Sequence, residues 1–255
     1  MNTPVYGAIH MHSDYSHDGH DSLEQLREVC LERHIRFVGI TDHAEDLDAE
    51  VFGEYLKHCD ELSDSHFRFI PGLEYRFAGL KGLHLLAIGL REWIEPRTPE
   101  EFLDQASRAA RFTVLAHPVL AKYQIPDVVL ERIDAIEVWN ANYNTRYLPD
   151  PRSIALVHKL REHRPELVAT VGLDQHDSSN DRELRTVITG TDFYDPVAAL
   201  RAGRFTCVGR IMSFDSHATL TPGRSRWLSI ARPALDTVNG VHDRAVRALR
   251  RIGVE

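Results

Sequence analysis

The chain has 255 residues, enough for one α/β barrel or two small domains, and long enough to bury a core without disulfides or a structural metal. A formal net charge of −8 excludes the broad basic face that long duplex nucleic acid requires, although it allows an anionic substrate held by bound cations. Three cysteines (Cys30, Cys59, Cys207) lack zinc-like spacing and read as reduced thiols, no leader or membrane-spanning run is visible, and a cytoplasmic protein is expected.

Seven short apolar runs read as strands in chain order: 5–12, 36–43, 67–77, 84–90, 112–118, 135–140 and 167–176. Helix-like segments lie between most of them, at 22–34, 50–62, 99–111 and 152–163. In the first, Leu23, Leu26, Cys30 and Leu31 follow helical spacing behind Ser22, a candidate N-cap. Strands that are apolar on both faces and alternate with helices imply a mostly parallel sheet covered by helices. Periodicity alone leaves open whether that sheet closes into a barrel. Neither GxGxxG nor GxxxxGK[ST] occurs, so the fingerprints of the common nucleotide-binding open sheets are missing. Pro149 and Pro151 bracket a loop, and 225–252 reads as one or two amphipathic helices packed outside.

The polar residues cluster at the strand tips. The first run ends in His10-Met11-His12, the second in Asp42-His43, the fifth in His117-Pro118 and the seventh in Asp174-Gln175-His176, while the third carries Glu74. In an α/β barrel these C-terminal tips converge on one face, where active sites are built. Residues i and i+2 of a strand point the same way, so His10 pairs with His12 and Asp174 with His176. His84 begins its run instead of ending it. The glycines Gly79 and Gly82 allow a hairpin that makes the fourth strand antiparallel to the third and brings His84 to Glu74 at the same rim. Imidazole and carboxylate donors without thiolate suit Zn, Fe or Mn, and paired ions can generate a hydroxide nucleophile and stabilise an in-line displacement. The other histidines (His34, His58, His66, His158, His163, His242) fall on helical or linking segments and read as solvated. His17, His20 and His217 stay ambiguous.

HMHSDYSHDG, TDH (41–43), GLE (72–74), His84 before an aliphatic strand, AHP (116–118) and GLDQH (172–176) together resemble the ordered motifs of the polymerase-and-histidinol-phosphatase (PHP) family, over residues 5–210. The resemblance implies a distorted seven-stranded (β/α)7 TIM-like barrel, here one domain over 1–255 with the C-terminal helices outside. It implies two or three divalent metal ions, with His10, His12, Glu74 and Asp174 at the first site, Glu74, His84 and His117 at the second, and Asp18, His43 and His176 at the third. His17 is an alternative to Asp18. It further implies a phosphoesterase acting on a small phosphomonoester or nucleotide. Phosphodiester cleavage of short oligonucleotides, hydrolysis of a carbamate or carboxylic ester, and a non-catalytic metal-binding role are the alternatives.

Asp42 reads as support for His43, and His176 or His43 as the source of the leaving-group proton, with a water ligand of the metal as a third choice. Arg76, Arg146 and Arg152 are candidates to grip phosphate oxygens, since guanidinium suits bidentate recognition. Gln175, where relatives often carry a small residue, is a candidate substrate contact. In 139–147, Asn140, Asn142 and Asn144 could hydrogen-bond a substrate, and Trp139, Tyr143 and Tyr147 could stack on a ring or be buried.

Overall fold

The computed structural model describes residues 3–144, 147–179, 183–217, 227–231 and 237. The seven expected strands are all present: β1 (Pro4–Met11), β2 (Ile35–His43), β3 (Arg68–Arg76), β4 (His84–Ile88), β5 (Phe112–Ala116), β6 (Ala135–Asn140) and β7 (Val168–Gly172). Three more follow: β8 (Arg185–Thr189), β9 (Thr206–Val208) and β10 (Ser213–Asp215). All ten form one strongly curled mixed sheet in the order β10-β9-β8-β1-β2-β3-β4-β5-β6-β7.

The helices begin where local chemistry starts them. In α1 (Leu23–Glu32), Ser22 and Gln25 form a reciprocal capping box. Asp48 caps α2 (Ala49–Glu61), and Thr98 caps α3 (Pro99–Ala109), whose first residue is proline. Asp150 caps α5 (Pro151–Arg161), so Pro151 opens a helix instead of closing a loop. Two short helices were not anticipated, α4 (Asp127–Arg132) and α6 (Pro196–Arg201). Of the expected C-terminal helices, 227–231 and 237 lie among the described residues; they are helical, with Leu228 buried.

β1, β2 and β3 are parallel, as are β5, β6 and β7. β4 is antiparallel to both its neighbours, as the glycine hairpin between Gly79 and Gly82 predicts. Both glycines adopt positive φ, +80° and +77°, the conformation the turn needs.

The curl brings β7 back to β1, and the two meet in different ways along their length. At the upper rim the backbones bond directly: Leu173 N–H donates to Ile9 C=O, Asp174 N–H to His10 C=O and His12 N–H to Gln175 C=O. Lower down, β8 pairs with residues 4–7 of β1, and β9 and β10 extend that sheet until Ser216 C=O accepts from Ala169 N–H of β7. The three extra strands thus wedge open the lower half of a ring that is closed at the top. The expected distortion, the reversed β4, is present, and these three strands, which the sequence reading did not assign, add a second.

Candidate metal centre

Side chains from β1, β2, β3, β4, β5 and the segment after β7 converge at the upper rim. At the centre is the buried carboxylate of Glu74. Its Oε1 lies 2.6 Å from His84 Nδ1, 3.3 Å from His117 Nε2 and 3.7 Å from His10 Nε2. Its Oε2 lies 3.0 Å from His43 Nδ1 and 3.5 Å from His12 Nε2. Asp174 faces the same space, with Oδ1 3.6 Å from both His10 Nε2 and His12 Nε2. Asp18 stands at the mouth, 3.3 Å from His43 Nε2 and 3.5 Å from His176 Nε2.

Among the described residues, three sets of donors come within 4.8 Å of one another: His10, His12 and Asp174; His10, Glu74 and His117; and His12, His43 and His176. The structure therefore gathers all nine residues of the implied ligand set in one place. His10 stands beside Glu74 and His117, and His84 bonds Glu74 with its ring 4.8 Å from that of His117. Asp18 borders the third set. His17, the alternative to Asp18, is turned aside to bond Asp46 at 2.7 Å.

The donor set fits divalent cations. Buried polar atoms in folded proteins are almost always hydrogen-bonded. Here His10 Nε2, His12 Nε2, Asp18 Oδ1, His43 Nδ1, His117 Nδ1 and Asp174 Oδ2 are buried without a hydrogen-bond partner. Orphans of this kind around one space are what a site for cations looks like when only protein atoms are counted. All three cysteines are buried elsewhere, so the donors are imidazole and carboxylate alone.

Backbone strain accompanies the convergence. His10, His117 and Asp174 have φ of 64°, 26° and 49°, a region that non-glycine residues enter at a cost of about 1–3 kcal/mol each. At His10 this coincides with a register shift of β1 on β2 between Ile9 and Met11. His10 and His12 therefore reach the site through a bulge, not through the simple alternation that the sequence suggested.

The charges are strongly coupled. Burial opposes ionisation of His10, yet Glu137, Asp174 and Glu74 together hold its imidazole well above the ordinary histidine value. Burial pushes His12 down to about 4. Burial also works against Asp174 and Glu74 as anions, but the surrounding histidines hold both carboxyls below the usual carboxylate range.

The other candidates have defined places. Asp42 is fully buried and accepts from Ser13 N–H, Ser13 Oγ and Ser16 Oγ, each at 2.7 Å. Ser16 Oγ in turn accepts from His43 N–H at 2.9 Å, so Asp42 reaches His43 through this serine and not through its ring. Arg76 is half-exposed at the mouth, with Nη2 donating to His43 Nε2 at 2.8 Å and Nη1 3.1 Å from Glu45. Asn140 is buried and turned back on its own loop: its carbonyl accepts from Asn142 N–H and Tyr143 N–H, and its amide donates to Glu137. Asn142 donates to Asp174 C=O, and Asn144 accepts from Asn140 N–H. Gln175 is buried, its side-chain Oε1 without a partner.

Tyr143 is exposed, its ring 4.7 Å from that of His117. Trp139 is wholly buried and packs where a Cβ at Gly209 would collide with it, so it is core. Tyr147 packs against the core. Arg152 pairs with Asp150 and lies over Tyr123, and Arg146 lies outside the described residues. The sequence reading missed Glu137, Ser13 and Ser16. The signal for Glu137 was available: it is the one ionisable residue inside the run AIEVWN.

With this geometry in place, comparison with known proteins is informative. A family model described as PHP domain matches residues 8–166. A curated relative, the DNA polymerase/3'-5' exonuclease PolX of Bacillus subtilis, is 33% identical over 78 residues, covering 28% of this chain and 14% of that protein. Among solved structures, a two-domain protein of Bacteroides vulgatus containing a predicted PHP-like metal-dependent phosphoesterase aligns with a TM-score of 0.58 at 18% identity. That alignment covers 82% of this chain and 66% of the other. PsfC from Pseudomonas syringae aligns at 0.52 and 14% identity, covering 93% of this chain and 100% of its own. An endonuclease Q complex with a 27-mer duplex carrying an abasic lesion aligns at 0.53 and 18% identity, over 89% and 67%. At these identities the structures establish a shared fold.

Proposed function

This chain belongs to the PHP domain family, and from that premise we propose that it is a metal-dependent phosphoesterase acting on a small phosphomonoester or nucleotide. The observation that carries the reading is the convergence of nine metal-competent side chains on one space, with six of their polar atoms buried and unpartnered.

His10, His12, Glu74, His117, Asp174, His43 and His176 would hold two or three divalent ions (Zn, Mn or Fe), with Asp18 at the mouth and His84 braced on Glu74. When bound, such ions supply Lewis acidity toward phosphoryl oxygens and activate water. The protein's own part is positioning and electrostatics. Arg76, at the mouth and beside His43, would grip phosphate oxygens that protrude from the site. Tyr143 presents an aromatic face over His117 where a sugar or base could rest. His176 is more exposed than His43, which is enclosed by Glu74 and Arg76, so where the third ion is absent and Nε2 is not a ligand, His176 is the better placed to protonate a leaving oxygen from that nitrogen.

The identity with a named 3'-5' exonuclease supports a second reading on the same site, removal of nucleotides from a short oligonucleotide. The test is phosphate release by the purified protein with Mn, Zn and Fe supplied separately. The panel comprises nucleotides, sugar phosphates, histidinol phosphate and short oligonucleotides, with an aryl ester alongside. Metal-dependent release that disappears in His12→Ala supports the proposal, and mononucleotides appearing from an oligonucleotide select the second reading. Hydrolysis of the aryl ester alone, with metal bound, would replace both with a carboxylic or carbamate ester hydrolase.

A further inference from the structure

Behind the donors lies a carboxylate that belongs to none of the three sets. Glu137 is buried in the middle of β6 and accepts three hydrogen bonds. Its Oε1 takes His10 Nδ1 at 2.7 Å, and its Oε2 takes His117 N–H at 2.9 Å and Asn140 Nδ2 at 3.0 Å. The fold makes room for it: a Cβ on Gly172 of β7 would lie 2.0 Å from Glu137 Oε1. We propose that Glu137 is a positioning residue that aims two metal ligands at once, fixing the ring of His10 in one tautomer and pinning the strained backbone of His117. This rests on the metal-centre reading above and adds a residue to it.

The argument is one of donors and acceptors. An ionised carboxylate can only accept, so His10 Nδ1 must carry the hydrogen toward Glu137. That leaves the lone pair on Nε2, which is the atom that faces Glu74 and Asp174 and has no hydrogen-bond partner. In the opposite tautomer an N–H would fill the ligand direction. His117 has φ 26°, and its N–H is held by Glu137 Oε2, so the carboxylate also fixes a backbone that would relax without it. Hydrogen bonds from the far nitrogen of a ligating histidine orient the ring and raise its basicity. Here one such partner serves a ligand in β1 and another just after β5, whose rings lie 5.4 Å apart.

Glutamine cannot reproduce this. If its single oxygen takes the pair His117 and Asn140, its NH2 faces His10 Nδ1 and favours the tautomer with the hydrogen on Nε2; if the oxygen takes His10, the NH2 faces two donors. Alanine at Gly172 displaces the carboxylate while leaving its charge in place, which separates geometry from electrostatics.

The test is chelator competition with Zn2+ and Mn2+ on the full chain. Wild type, Glu137→Gln and Gly172→Ala are compared for folding by circular dichroism and for the His10 tautomer by long-range 1H–15N spectra of the metal-free chain at alkaline pH, where the ring is neutral. Both variants are expected to lose about 10- to 100-fold in metal affinity, and His10 should change from pure Nδ1–H to a mixture or the other tautomer. Should Glu137→Gln fail to fold, Gly172→Ala carries the test, with Asn140→Ala expected to give a smaller loss. Metal affinity within twofold of wild type and an unchanged tautomer in the folded variants would overturn the proposal alone. A wild-type chain that takes up neither ion would overturn the metal centre and this proposal with it.

Discussion

The backbone N–H of Asp174 donates to the backbone carbonyl of His10, joining by main chain two residues that also share a metal-competent set. Both have left-handed φ, and they come from opposite ends of the ring of seven strands. The bond that closes the rim and the donors that line the site are therefore features of the same two residues.

Glu74 touches more of the centre than any other side chain, reaching His10, His12, His43, His84 and His117. Glu74→Gln keeps the shape and removes the charge. Metal content measured by elemental analysis should fall by at least one ion per chain, and hydrolytic turnover by about 1000-fold or more, in line with losing a group that stabilises charge throughout the reaction. Full stoichiometry and near-normal turnover would show that the carboxylate is not shared between ions.

Metal uptake should displace protons. His10 is held above its ordinary value by Glu137, Asp174 and Glu74 against burial, so in the metal-free chain it carries a proton at neutral pH. His12, lowered to about 4 by burial, is already neutral there. A raised folded value stabilises the metal-free fold below about pH 6.5, and that contribution disappears as pH rises through the folded value. Over the same range Zn2+ competes less with protons, and its affinity should rise about tenfold per pH unit for each proton displaced. The difference in Tm between Zn-loaded and EDTA-treated protein should therefore widen from pH 6.5 to 9. A difference that shrinks with rising pH would contradict the assignment of His10 as a ligand.

Asp42 holds the loop that follows β1, through Ser13 and Ser16. Burial pushes its carboxyl up to about 6 even though three donors favour the anion. Asp42→Ala leaves those donors facing a void and should destabilise the chain by about 2–4 kcal/mol in urea unfolding. Its effect on kcat at saturating metal should be much smaller than that of His12→Ala. An equal loss of kcat with unchanged stability would instead make Asp42 a group that acts on substrate.

Arg76 offers the clearest division between binding and chemistry. Arg76→Ala removes a charged donor at the mouth and should raise KM for a phosphorylated substrate by about 10- to 100-fold, the worth of one or two charge-assisted hydrogen bonds. Turnover at saturation should change little. Arg76→Lys should recover only part of the loss, because lysine keeps the charge but not the planar fork. Unchanged KM would place the phosphate elsewhere.

The barrel strands were readable because each is a short apolar run interrupted only at its tip, and ligands placed at tips announce themselves. β8, β9 and β10 were not, since they are three to five residues long and only partly buried. The antiparallel β4 was deducible from Gly79 and Gly82 because only a reversal brings His84 to Glu74. Direction at a tip was harder to foresee: Asn140 and Arg76 both end apolar strands, yet one turns back into its own loop and the other faces the mouth. Glu137 escaped attention because a carboxylate in mid-strand carries no sign of what it faces across the barrel.

The way β1 is covered has a consequence for how the chain is made. One edge of β1 meets β2 soon after synthesis, but the other waits for residues 173–175 at the top and for β8 at the bottom. During translation that edge is an unpaired strand with buried-type side chains, a template for pairing with another chain. The donors follow the same timetable, since His10 and His12 have no Asp174 until the ribosome has passed it. The set of His10, Glu74 and His117 needs nothing beyond His117, but the other two wait for Asp174 and His176, so a full complement of ions can load only after the ring has closed.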